Sequence, residues 1–402
     1  MKNPGHFFFL ITVIIFFSCA SQEPDVKETE PQSPVGEQEL PPQLVMAPPE
    51  DDYFSIEDDY LTIIAVGDNL YHTPMMKLGE EGDYETAYLE IRSLAKNADI
   101  AFINQETLLA GSKFGFSDYP IFNTPQSVGR ALEKTGFNVV NHATNHVMDK
   151  GEDAVFATLD FWDDYPDVTV LGIHRSEEKR KLPVLLKKNN ITVGFLSYTY
   201  GTNGILVPAD KPYLVSLINT AIMAREIDAL RPLCDFLVVS MHWGDEYEHD
   251  CSKRQKDLAV LLAGHAVDLV IGHHPHVIQK IESIPRPDGK NMLCFYSLGN
   301  FISAMSKSEN MLLGAMAFLR LKKTASDGTV SVSIDEYGVI PMVTHYDKSY
   351  SNFKVYPLYA YTEDLAKKHW KNNLTANYFK SLSSKIFGDR VMLRDPFLAA
   401  PQ

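Results

Sequence analysis

The chain has 402 residues, 45% hydrophobic and 22% charged, which is an ordinary globular composition with material for one large core or two smaller ones. Its formal net charge of −15 argues against a surface that wraps nucleic acid, because such binding needs clustered Lys and Arg to displace counterions. A local cleft can still hold an anion, since net charge describes the whole surface and not one site.

The N-terminus has the three parts of an export signal: Lys2, an apolar run from Phe7 to Phe17, and the closing Phe16-Phe17-Ser18-Cys19. That run is too short to span a bilayer as a helix. A small residue directly before a cysteine resembles the lipobox of bacterial lipoproteins, so residues 1–19 are expected to be a lipoprotein signal with Cys19 as the lipidated residue. A plain signal peptide or an uncleaved anchor is the alternative. Residues 20–58 are rich in Glu, Pro, Gln and Asp, as in PDVKETEPQSPVGEQELPPQ, and predict a disordered tether. Beyond Cys19 only Cys234, Cys251 and Cys294 remain, which is no disulfide framework. A Cys234–Cys251 bridge is open, with three small buried thiols as the other reading.

From Tyr60 short β-rich runs alternate with helical patterns: LTIIAVGD, YETAYLEIRSLAKN, DIAFINQE, TPQSVGRALEKTG, FNVVNHATNH and EDAVFATLDFWDDY. ITVGFLSYTY, a helix near Ile218 to Leu230, DFLVVSMHWG, the helix SKRQKDLAVLLAGH, DLVIGHHPHV and MLCFYSLGNF continue the alternation, which predicts a mainly parallel α/β sheet. After Phe301, GAMAFLRLKK and VSVSIDEYGVIPMV read as antiparallel strands, followed by a helix near Thr362 to Ser384. This C-terminal part, 306–402, either completes the 59–305 domain or is appended to it.

Polar residues recur at the strands' carboxyl ends. Asp68 follows TIIAVG, Glu106 follows IAFINQ, Asn145 and His146 lie just past FNVV, His242 follows LVVSM, and His273, His274 and His276 follow LVIG. In an open α/β sheet those ends share one rim, where ligands bind. Asp, Glu, Asn and neutral His form a mixed donor set suited to Mn, Fe or Zn and poor for calcium, and there are enough of them for two ions with Glu106 as a bridge. Two such ions can clamp a phosphoryl or related oxyanion. Singly each motif has a plainer reading: Gly67-Asp68 as a turn, Asn145-His146 as a helix entry ahead of Asp149-Lys150-Gly151, and His242 as a core histidine. Pro275 between two imidazoles is the strongest single signal, because strands rarely tolerate proline.

GDNLYHTPM, INQETLLAG, NHATNHVMDKG, SMHWGDEYEH, IGHHPHVIQ and YSLGNFI, in this order, resemble the CapA family of capsule-synthesis, or poly-γ-glutamate synthesis, proteins over about Leu61 to Ile302. The resemblance implies a divergent calcineurin-like metallophosphoesterase fold, a four-layer α/β/β/α sandwich with two divalent metals. It assigns Asp68, Glu106, Asn145, His242, His274 and His276 as ligands and His146 as the group assisting the leaving atom. Glu246 and Tyr247 would line the substrate groove, and His273 would orient a ligand. Two departures stand out. Asp68 is followed by Asn69-Leu70 where the superfamily opens Asp-x-His, with His72 the nearest replacement, and Glu106 replaces an aspartate. Ser297 to Asn300, with no base paired to Ser297, are expected to shape the last strand's turn. The function implied is a membrane-anchored extracytoplasmic protein of capsule-like polymer synthesis or export, within a membrane synthesis complex and taking an anionic polymer or phosphoester. The alternatives are a periplasmic metal-dependent hydrolase unrelated to capsule and a non-catalytic scaffold.

Overall fold

The structure, a computed structural model, describes residues 59–398 apart from 306, 327 and 328. The signal segment, Cys19 and the 20–58 tether lie outside the described residues, so the expectations placed on them stand outside it too.

Strands β1 (Tyr60–Leu70), β2 (Ile100–Gln105), β3 (Val139–Asn141) and β4 (Thr169–Leu171) pair in parallel. They are connected through α1 (Arg92–Asn97), α2 (Gln126–Thr135) and α3 (Glu152–Asp163). After α4 (Glu177–Lys181) the chain builds a second sheet. Its strands are β5 (Val184–Lys188), β6 (Ile191–Thr199), β7 (Phe236–His242), β8 (Leu269–His273), β9 (Ile281–Pro285) and β10 (Asn291–Phe295), with α5 (Thr220–Leu230) and α6 (Lys253–Gly264) as crossovers. The order is β5-β6-β7-β8-β10-β9. The chain then returns to the first sheet with β11 (Asn300–Ser303), β12 (Leu313–Ser326), β13 (Thr329–His345) and β14 (Lys354–Pro357), and closes with α7 (Glu363–Lys368) and α8 (Ala376–Phe387). The first sheet runs β14-β13-β12-β1-β2-β3-β4, with β11 paired to β1.

Strand periodicity explains the layers. Leu61, Ile63 and Ala65 of β1 and Ile100 and Phe102 of β2 point one way, where they meet Val193, Phe195, Val238 and Ile271 of the second sheet. Ile64, Val66, Ala101 and Ile103 point the other way, against Leu94, Val128, Leu132 and Trp162 of the first sheet's helices. Leu237, Val239 and Val270 face Met223, Ile227, Leu258 and Leu262 of α5 and α6. The result is helix, sheet, sheet, helix, as the family resemblance implied. Each buried Val, Leu, Ile, Phe or Met among them contributes about 1.5–3 kcal/mol.

Three expectations change in detail. The alternating pattern predicted one mainly parallel sheet; there are two mixed ones, because β12, β13 and β14 add antiparallel to β1 and complete the first sheet. The single C-terminal helix is two helices, separated by Asn373 at φ 63 and by Thr375, whose side chain caps α8. Cys234, Cys251 and Cys294 are free thiols, and burial raises each of them.

Candidate metal centre

Gly67 is the first element of the site. It is an extra residue between the pairs Val66↔Ile103 and Asp68↔Asn104, a bulge that turns Asp68 out of its alternating position and into the space between the sheets. A Cβ at Gly67 would stand 1.8 Å from the Gly299 carbonyl oxygen, so only glycine fits. Gly272 plays the same part before the histidines, where a Cβ would meet the Tyr296 carbonyl oxygen at 2.0 Å. His274 and His276 then take φ 98 and φ 59 around Pro275, a strained pair of left-handed residues that swings both rings into one cleft.

The structure brings the expected residues together. Asp68 Oδ2 lies 3.1 Å from His276 Nδ1, and its Oδ1 lies 3.6 Å from His273 Nδ1 and accepts from Asn104 at 2.8 Å. Glu106 Oε1 is 3.7 Å from His276 Nε2 and 3.9 Å from His242 Nε2. His242 Nε2 in turn meets Asn145 Oδ1 at 2.8 Å. Two sets of donor atoms converge, Asp68 with Glu106 and His276, and Glu246 with His274 and His276, so His276 is common to both. Glu246 therefore stands as a candidate cation ligand, a role beyond the groove position that the resemblance implied. Tyr247 packs its ring 6.3 Å from that of His276 and is pinned by its N–H to the Pro275 carbonyl at 2.8 Å.

His146 does something different. Its Nδ1 sits 2.7 Å from Asp149 Oδ2, and that oxygen also accepts from the Phe122 N–H at 2.7 Å. Asp149, which from sequence seemed to open a helix, instead orients this imidazole, while Gly151 precedes α3. An i, i+3 His-x-x-Asp spacing was the available signal for it. His72 does not stand in for the missing histidine: its Nδ1 accepts from the Ala304 N–H at 3.3 Å, and it belongs to neither converging set among the described residues. Ser297 shapes the last turn, donating to the Val277 carbonyl and accepting from the Gly299 N–H. Asn300, read from sequence with Ser297 as part of that turn, also holds His276 Nδ1 at 3.0 Å.

The electrostatics are those of a site built around positive charge. Both Glu106 oxygens are buried without a hydrogen-bond partner, as are His242 Nδ1, both nitrogens of His273 and His274 Nδ1. Leaving so many buried polar atoms unpaired costs about 1–3 kcal/mol each, which a bound cation would offset. Burial pushes Glu106 well above the usual carboxylate range. Burial also pulls Asp68 upwards, yet the hydrogen bond and charge of His276 leave it lowered. Desolvation drops His274 to about 3 and His273 to about 4, the neutral forms that ligate metals. Burial acts the same way on His276, but the Glu106 and Asp68 carboxylates outweigh it and raise this ring to about 10. These donors fit divalent cations, which Asp68, Glu106, His276, His274 and Glu246 could hold.

Fold and site thus define a two-sheet α/β protein whose strand ends gather carboxylates, an amide and imidazoles around one cleft. The chain belongs to the bacterial capsule synthesis protein family PGA_cap, whose model matches residues 62–305. It is 29% identical over 259 residues to the PGA biosynthesis protein CapA of Bacillus subtilis (strain 168), covering 61% of this chain and 64% of that protein. It therefore spans just under two thirds of that relative. It is 27% identical over 304 residues to the capsule biosynthesis protein CapA of Bacillus anthracis, covering 73% of this chain and 72% of the other. Among solved structures it is similar to the calcineurin-like phosphoesterase YfkN from Bacillus subtilis, at a TM-score of 0.42 and 15% identity over 70% of this chain and 90% of that one.

Proposed function

We propose that this protein is held at the cell envelope through a lipidated Cys19, outside the cytoplasm, and acts in the synthesis or export of an anionic capsule-like polymer of the poly-γ-glutamate class. In this reading it works through a site for two divalent cations. Family membership and the names of the two relatives support the polymer. The observation that carries the site is Glu106, a fully buried carboxylate with neither oxygen hydrogen-bonded and with His276, His242 and Asp68 ranged around it.

Bound cations would supply Lewis acidity towards an anionic oxygen of the substrate. The chain's own residues supply the rest. Asp68 places negative charge on the inner side of the cleft, Glu106 would join it on giving up its proton to a cation, and Glu246, which is exposed, places it at the mouth. Tyr247, with Lys307 Nζ 4.7 Å over its ring, offers a cation and an aromatic face at the entrance for an anionic chain. His146, oriented by Asp149, is placed to give a proton to a departing oxygen or nitrogen. That oriented pair favours a reaction over a purely structural scaffold, because a scaffold has no use for a carboxylate-aligned imidazole beside the cleft.

The test is metal analysis of the purified full-length protein together with a panel of phosphoester and γ-glutamyl substrates and soluble poly-γ-glutamate. The expected result is metal-dependent cleavage or binding of the γ-glutamyl compounds that is lost in His274→Ala. Turnover of phosphoesters alone would move the protein to the hydrolase reading, and a metal-loaded protein inert to everything would leave the scaffold.

A further inference from the structure

Asp68, Asn104 and Asn141 stand opposite one another on β1, β2 and β3: Asp68 pairs with Asn104, and Asn104 with Asn141. On the same face the preceding rung of these strands is apolar, Ala65 with Phe102 and Phe102 with Val139. One fully buried polar rung thus crosses the first sheet on the face turned to the second sheet, where Ser197 of β6 joins it.

The hydrogen bonds of this row all run one way. Asn141 Oδ1 accepts from the Ala143 backbone N–H at 3.1 Å and from Ser197 Oγ. A backbone N–H can only donate, so the Asn141 amide cannot be flipped. Its NH₂ must then donate to Asn104 Oδ1, at 2.6 Å, which leaves the Asn104 NH₂ to donate to Asp68 Oδ1 at 2.8 Å. Polarity fixed at Ala143 is passed through two amides to one oxygen of Asp68.

We infer that Asn104 and Asn141 are positioning residues that hold the Asp68 carboxylate with Oδ2 turned towards His276 and so set the affinity of the cation site. This rests on the cation-binding reading proposed above. A row of buried amides is costly unless fully satisfied, and apolar side chains like those of the adjacent rungs would fill the same space with no such requirement. What the amides add is direction. Partners of this kind, one step behind a ligand, typically alter metal affinity 10- to 100-fold when removed.

Asn141→Asp tests the direction itself. The new carboxylate can still accept from Ala143 and Ser197 but has no proton for Asn104, which then turns its NH₂ towards residue 141 and its carbonyl oxygen towards Asp68. Asn141→Ser breaks the row without adding charge. The control is Asn138→Ser just before β3, where the asparagine side chain bonds, among the described residues, to the Ala101 N–H and the Asp99 carbonyl. Manganese or zinc affinity of the full-length variants, by competition with a chelating dye, is measured beside the urea stability of the metal-stripped proteins. The expected result is a loss of affinity of about 10- to 100-fold for both Asn141 variants. Asn138→Ser loses stability and keeps its affinity. Ser197→Ala, which leaves the Ala143 anchor in place, stays within about threefold of the parent by the same logic. Parent affinity in a folded Asn141→Asp or Asn141→Ser protein overturns the inference and leaves the cation site standing. Failure of both to fold also overturns it, assigning the row to stability alone. A parent protein that binds no cation removes the cation reading and the inference together.

Discussion

Glu106→Gln should lower stability substantially only when metal is present. Gln has nearly the shape of a protonated Glu, and burial pushes the Glu106 carboxyl well above the ordinary range, so in the metal-free protein the exchange forfeits only its attraction to the His276 ring. Asp68, 3.1 Å from His276, still answers that ring's charge. Metal-free stability should therefore change by no more than about 1 kcal/mol. With a cation at about 100 times its dissociation constant, the parent gains about 2.7 kcal/mol by mass action. A variant weakened about 100-fold keeps only about 0.4 kcal/mol of that, so the metal-loaded proteins should differ by about 2 kcal/mol. Urea unfolding followed by tryptophan fluorescence measures both, since Trp243 and Trp162 are buried. Equal destabilisation with chelator and with metal would refute the reasoning and make Glu106 a structural residue.

His146→Ala should keep its metal and lose about 10²- to 10⁴-fold in rate on any substrate found. Asp149→Asn should follow it in the same direction, and a rate within a few fold of the parent would remove the proton-donor role. At neutral pH His276, raised to about 10, carries a proton that a cation must displace. Affinity should therefore rise at least tenfold per pH unit between about pH 6 and about pH 8, with proton release visible as a buffer-dependent binding enthalpy, and a flat profile would contradict it. Gly67→Ala should cost about 3 kcal/mol, because its Cβ would collide with the Gly299 carbonyl, and urea unfolding reads this directly. Cys19→Ala should release the protein from the membrane fraction or block its processing, and unchanged processing with full membrane retention would end the lipid-anchor reading.

The strand ends were legible because each polar group directly follows a run of buried β-formers, and TIIAVGD, IAFINQE, LVVSMH and LVIGHH all show this in one dimension. The helices α2, α3, α5 and α6 were equally plain from period; α5 is also capped by Asn219, and α6 carries a full capping box from Ser252 and Gln255. What was hidden depends on partners distant in sequence. Nothing local says that β5 to β10 leave to form a second sheet, since short parallel strands read alike in either sheet. The bulge at Gly67 looks like an ordinary turn until Gly299 is brought against it. Asn104 and Asn141 look like strand-end polar residues, and only the register that sets them opposite Asp68 gives them a direction. Glu246 lies in the exposed turn after β7, and it joins the site only because His274 and His276 adopt left-handed backbones.

The most direct measurement is anomalous diffraction from crystals of the protein grown with manganese. Two peaks are expected, one among Asp68, Glu106 and His276 and the other among Glu246, His274 and His276, both lost in Glu106→Gln/His274→Ala. Crystals grown with excess manganese that show no peak at either place would contradict this expectation.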